Sequence, residues 1–116
     1  MTQREITQKA DLLDLRGRLA SPGWARDLVL RYDRRAIRAS PLRIKEWDYY
    51  CILTDELGAA FTIADNSYMG LVSASILDLT QPWEITTSVM TPFPMGKLNM
   101  PSSSAEGDVR FRNNRV

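Results

Sequence analysis

Between residues 43 and 91 hydrophobic and polar positions mostly alternate, and that alternation predicts strands. Trp47, Tyr49, Cys51 and Leu53 fall on one side; Glu46, Asp48, Tyr50 and Ile52 fall on the other. Period two with aromatic and β-branched residues is the pattern of a half-buried strand. "TDELG" follows as a turn, and Phe61 and Ile63 then alternate with Thr62 and Ala64. "DNS" is the next turn, since Asp and Asn bond their own backbone and tolerate left-handed conformations. Residues 68–80 are apolar on both sides, which predicts a strand covered twice, and Gly70 and Ala74 predict close packing over it. Pro82 interrupts the run, and "EITTSVM" resumes it with β-branched residues. Connections this short force antiparallel neighbours, because a parallel crossover needs a dozen or more residues. The prediction is a mainly β fold: a four-stranded antiparallel meander with an apolar interior. If the Trp47 side is that interior, Trp47→Ala costs about 3–5 kcal/mol.

The flanking segments pattern less clearly. Residues 1–42 read as an arm, and 43–116 as the meander with a long loop at 91–107. Residues 11–20, "DLLDLRGRLA", suit a small hairpin or an extended arm. Trp24, Leu28 and Tyr32 lie on a helical stripe with Ser21 as its cap, while Pro22-Gly23 and Asp33 oppose a helix. The expectation is a short helix or an irregular segment. In the loop, Phe93, Met95, Leu98 and Met100 serve as core anchors or as a lid. Val109 and Phe111 against Arg110 and Arg112 predict the start of a fifth strand. Such a meander has two open edges, which soluble proteins pair, cover or charge. That predicts a dimer through an edge, or pairing with the C-terminal remainder of a longer protein.

Composition narrows the chemistry. The chain has 116 residues, 44% hydrophobic and 25% charged, with net charge +1. Those values suit one globular domain and argue against nucleic acid as a bulk electrostatic partner. Histidine is absent and Cys51 is the single cysteine. Serine–histidine and cysteine–histidine catalysis are therefore excluded within these residues, no metal site or cofactor is expected, and Cys51 is expected as a small buried thiol. No apolar run approaches the roughly 18 residues of a spanning helix, and no signal peptide opens the chain, so a cytoplasmic location is expected.

Three constellations could carry chemistry. Arg26, Arg31, Arg34, Arg35, Arg38, Arg43 and Lys45 form a basic cluster, read either as an anion contact or as a solvated surface paired with acids elsewhere. Glu46 and Asp48 share a strand side about 7 Å apart, with Asp65 at a turn nearby; these are the candidate acids. Trp47, Tyr49, Tyr50, Tyr68 and Phe93 are the candidate ligand-binding aromatics, equally suited to a core. Three functions follow: a binding domain for an apolar small molecule such as a lipid or isoprenoid, an enzyme using carboxylate acid–base chemistry, or an interaction module without a small-molecule site.

The strings "RAIRASPLRIKEWDYYCIL", "TIADNSYMGLVSASILDL", "SVMTPFPMGKLNMP" and "GDVRF" resemble the domain-of-unknown-function family DUF2804. The resemblance covers roughly residues 10–116 and implies longer chains than this one. It also implies a partial lipocalin-like barrel, or half of a larger β-barrel, distantly similar to carotenoid hydratases and tocopherol cyclases. It brings no catalytic residues with it, and fold-level analogy assigns no function.

Overall fold

The computed structural model describes residues 3–114. The chain divides into two units: Met1–Ser40 with Pro101–Asp108, and Pro41–Met100 with Val109–Val116.

The first unit is built on extended chain. Strands β1 (Ala10–Asp11) and β2 (Leu30–Arg31) pair in parallel. The same alignment continues upstream, where Trp24 N–H donates to the Arg4 carbonyl at 3.0 Å and Ile6 N–H donates to the Trp24 carbonyl at 2.8 Å. These bonds explain why the helical stripe through Trp24 does not become a helix. Both backbone groups of Trp24 are already engaged in a ladder, and Pro22 stands just before it. Gly23 permits the approach, since a Cβ there would lie 2.4 Å from the Arg4 carbonyl oxygen. Residues 11–20 do form a hairpin, with Leu13 opposite Leu19. Asp14 caps its turn by accepting from Arg16 and Arg18 N–H at 2.8 and 2.9 Å. The irregular segment then ends in a 3-10 turn, Arg34–Ala36, capped by the Asp33 carboxylate; a second, Pro41–Arg43, opens the other unit.

The second unit is the predicted meander. Strands β3 (Glu46–Leu53), β4 (Leu57–Asp65), β5 (Met69–Asp78) and β6 (Trp83–Pro92) lie in the order β3-β4-β5-β6, every pair antiparallel. The sheet is open and matches a partial barrel. The first strand starts at Glu46 because the Pro41–Arg43 turn occupies the residues before it. Pro82 lies outside the ladder, in a turn held by Asp78. The Asp78 carboxylate accepts from the Thr80 hydroxyl at 2.7 Å and from the N–H groups of Thr80 and Gln81. The Thr80 hydroxyl bond, then the backbone ones, hold that carboxyl below its usual range. Residues 109–112 do not form the expected fifth strand. Residues 109–114 run instead beside Ile63 and Val72.

Register assigns each side chain. On one side of the sheet, Trp47, Ala64, Leu71 and Met90 form a row, followed by Tyr49, Thr62, Ser73 and Ser88. On the other, Tyr50, Phe61, Ala74 and Thr87 form a row beside Ile52, Ala59, Ile76 and Ile85.

Burial corrects one expectation. Trp47 is 63% exposed, and Tyr49, Leu53 and Met90 on its side are exposed too. On this side burial reaches the small residues of β4, Gly58, Ala60 and Ala64, and not the large side chains of β3. Cys51, on the same side, is likewise exposed rather than buried. The neighbouring Cys51 thiol pushes the pKa of the Tyr49 hydroxyl up. Among the described residues, the buried positions are Gly58, Ala60 and Ala64 on β4, and Asp65, Ser67, Gly70 and Pro94 around the β4–β5 turn. Trp47→Ala is therefore expected to cost under about 1 kcal/mol in a urea melt, as surface substitutions do. A loss of 3 kcal/mol or more would return Trp47 to a core.

Candidate functional site

The register gathers all three candidate carboxylates on the Tyr50 side. Glu46 stands opposite Asp65, and Asp48 stands opposite Ile63, which continues into Val72 and Val89. Their surroundings differ. Asp65 is fully buried, and both of its oxygens accept backbone N–H bonds: Oδ1 from Ser67 at 3.0 Å, Oδ2 from Gly96 at 2.6 Å. Asp65 therefore ties the β4–β5 turn to the loop after β6. Ser67, at φ +66°, extends the tie. Its hydroxyl donates to the Ile44 carbonyl, and its own carbonyl accepts from Met95 N–H at 3.1 Å. Phe93 N–H donates to the Tyr68 carbonyl at 2.9 Å. Asp48 is the contrasting case: its Oδ2 is buried and, among the described residues, has no hydrogen-bond partner. Buried oxygens of this kind are rare and call for a ligand or a water.

Beside these carboxylates the Tyr50 side is open and apolar. Tyr50, Ile52, Phe61, Ile76 and Ile85 are each between 45% and 65% exposed. Ile63 and Val72 form the floor of an open groove of about 770 Å³ whose wall is residues 109–114. Small-molecule sites span about 300–1,000 Å³.

The candidate aromatics do not converge. Tyr50 lies on this side and pairs with Phe61, an aromatic of the alternating β4 strand that suits a cavity or a core equally. Trp47 and Tyr49 are on the opposite side. Tyr68 is half exposed in the β4–β5 turn, its ring 5.7 Å from the Lys45 ammonium, and Phe93 is 61% exposed at φ +47°.

Three of the seven residues of the basic cluster pair with acids of the first unit. Arg26 pairs with Glu5 at 2.9 Å, Arg31 with Asp11 at 2.6 Å, and Arg35 with Asp33 at 3.1 Å. The hydrogen bond from Arg35 holds the Asp33 carboxyl below its usual range. A separate cleft in that unit, lined by residues 9–12, 27–32 and Ser102–Ser103 among others, includes the Arg31–Asp11 pair. Among the described residues, no group of three or more His, Cys, Asp or Glu is placed to hold a metal ion, and no helix is long and apolar enough to cross a membrane.

No curated protein and no solved structure matches the chain. One family model does, over residues 3–116: "Domain of unknown function (DUF2804)". The match spans the first unit, the sheet and the segment beside Ile63 and Val72, and the chain belongs to that family.

Proposed function

We propose that the Tyr50 side of the sheet binds an apolar small molecule of lipid or isoprenoid type. One observation carries this reading: two exposed apolar rows, built on Tyr50–Phe61 and Ile76–Ile85, adjoin the groove over Ile63 and Val72. Contiguous exposed apolar surface on a soluble domain marks an interaction site. The opposite side fits less well, because its middle rows carry Thr62, Ser73, Ser75, Thr86 and Ser88.

The unpartnered Asp48 oxygen favours a second reading on the same surface. A carboxyl oxygen withdrawn from water can accept a ligand's hydroxyl proton or deliver its own, as hydratase, cyclase or hydrolase chemistry requires. Glu46, two residues away on the same side, would be its neighbour in such a site.

One titration tests both. A fluorescent fatty acid or a retinoid is expected to bind saturably, with a dissociation constant of about 1–10 µM. Phe61→Ser with Ile76→Ser weakens binding at least about tenfold, the effect of losing two apolar contacts. Trp47→Ala, on the other side, leaves it unchanged. If the bound molecule is also converted, Asp48→Asn removes conversion and keeps binding. Absence of saturable binding, or greater sensitivity to Trp47→Ala than to the paired serine variant, defeats the proposal.

A further inference from the structure

The sheet has two outer strands, β3 and β6, and they are not alike. β3 carries Glu46 and Asp48 on one side, the kind of inward-pointing charge that protects an edge from pairing. β6 has a charge and a proline only near its ends, Glu84 and Pro92. From Ile85 to Thr91 it reads "ITTSVMT", without a charge, a glycine or a proline. All ten of its residues are in register with β5, without a bulge. Half of its backbone N–H and C=O groups therefore point away from the sheet in a regular row. Bulges, prolines and lysines are what native edges use to prevent a further strand from adding.

We propose that β6 pairs antiparallel with β6 of a second copy of this chain, about a twofold axis at Thr87, to make one eight-stranded sheet. An axis centred on a residue keeps each side of one sheet continuous with the same side of the other, because side chains alternate with period two. Among such axes, the one at Thr87 sets Ile85 opposite the partner subunit's Val89, and does so twice. β-Branched residues facing each other are favourable cross-strand pairs. The apolar row Ile52, Ala59, Ile76 and Ile85 then runs on into the partner subunit's Val89, Val72 and Ile63. Moving the axis to Ser88 sets Ile85 against threonine instead. Moving it to Thr86 also sets Ile85 against threonine, and leaves the partner subunit's Val89 opposite Trp83. The single charge on β6 does not oppose doubling. With the axis at Thr87, Glu84 faces the partner subunit's Met90, and the two Glu84 side chains lie six positions apart along the ladder. That is about 20 Å at the strand rise, beyond the roughly 8 Å screening length of physiological salt.

Sedimentation of the protein from about 1 to 100 µM is expected to show a monomer–dimer equilibrium. Thr87→Lys sets two ammonium groups face to face at the axis and weakens the dimer at least about tenfold. Thr87 is exposed, so the far-ultraviolet spectrum and the melting temperature of the monomer stay unchanged. A second variant guards against misfolding. In a Cys51→Ser background, Thr87→Cys cross-links two copies on mild oxidation, and Tyr50→Cys on the outer β3 strand does not. A monomer at every concentration overturns the proposal. So does a dimer indifferent to Thr87→Lys, or one cross-linked through Tyr50→Cys, which would place the contact on β3.

Discussion

Asp65→Ala is expected to destabilise the sheet unit by about 3 kcal/mol or more, although Asp65 lies outside the apolar rows. The side chain is fully buried and satisfies two backbone donors, Ser67 N–H at 3.0 Å and Gly96 N–H at 2.6 Å. Alanine leaves both donors without this acceptor, Ser67 N–H in a buried place and Gly96 N–H in a part-buried one. Each such orphan costs about 1–3 kcal/mol, more where the lost acceptor was charged. The loss spreads, because Ser67 also bonds Ile44 and Met95, so the chain before β3 and the loop after β6 are both fastened through it. Chemical denaturation gives the magnitude, and hydrogen exchange gives the place. The amides of Ser67 and Gly96 should lose protection first, while β5 amides far from the turn keep theirs. Asp65→Asn retains one acceptor oxygen and turns an N–H donor toward the other site, so it should fall between wild type and alanine. If Asp65→Ala costs under 1 kcal/mol, Asp65 does not hold the turn and the loop together, and its place beside Glu46 would need another explanation.

The role of Asp65 shows where sequence reading succeeds and where it stops. The meander was legible because alternation is a local property, and because turns as short as "DNS" leave antiparallel pairing as the one option. Glu46 and Asp48 on one strand side followed from period two alone. That Asp65 joins them follows from the β3–β4 register, which the letters of one strand do not contain. Its two backbone partners lie 2 and 31 positions away, and only the first is within the range of turn rules. The Trp47 side misled for a different reason. Aromatic alternation says that one side of a strand is apolar; it does not say that anything lies over it. What lies across from Trp47 and Tyr49 is Ala64 and Thr62, then Leu71 and Ser73; Ala64 is buried there, while Trp47 and Tyr49 stay exposed. The helical stripe at Trp24, Leu28 and Tyr32 failed because a parallel ladder with Arg4 and Ile6 claimed the Trp24 backbone. Such a partner, some 20 residues upstream, is invisible to a window of helical length. Residues 109–112 alternate like a strand, yet no neighbour among the described residues offers them a ladder.

Gly70→Ala is the second large effect, and it tests the same corner from the opposite direction. Glycine inside a strand ordinarily weakens it, so alanine should gain about 0.5–1 kcal/mol from reduced freedom of the unfolded chain. Here the overlap outweighs that gain. A Cβ on Gly70 would lie 2.6 Å from Thr91 Cγ2 and 3.3 Å from Pro94 Cγ. Thr91 is β-branched and stiff, and Pro94 is a buried ring, so neither can swing aside. Overpacking of this kind costs about 1–3 kcal/mol, and the net loss in a denaturant melt should be about 1–2 kcal/mol. Thr91→Ser removes the nearest methyl group, so in that background Gly70→Ala should become nearly neutral. Gly70 and Asp65 are also register partners, and Pro94 is held two residues before the Gly96 N–H that Asp65 binds. Once Asp65→Ala has released that loop, Pro94 can retreat from the new methyl group. The double variant should therefore lose less than the sum of the singles, by about 0.5–1 kcal/mol, the coupling expected of residues that share a contact. Simple additivity would mean that Thr91 alone makes the overlap, and that the loop after β6 stays seated without Asp65.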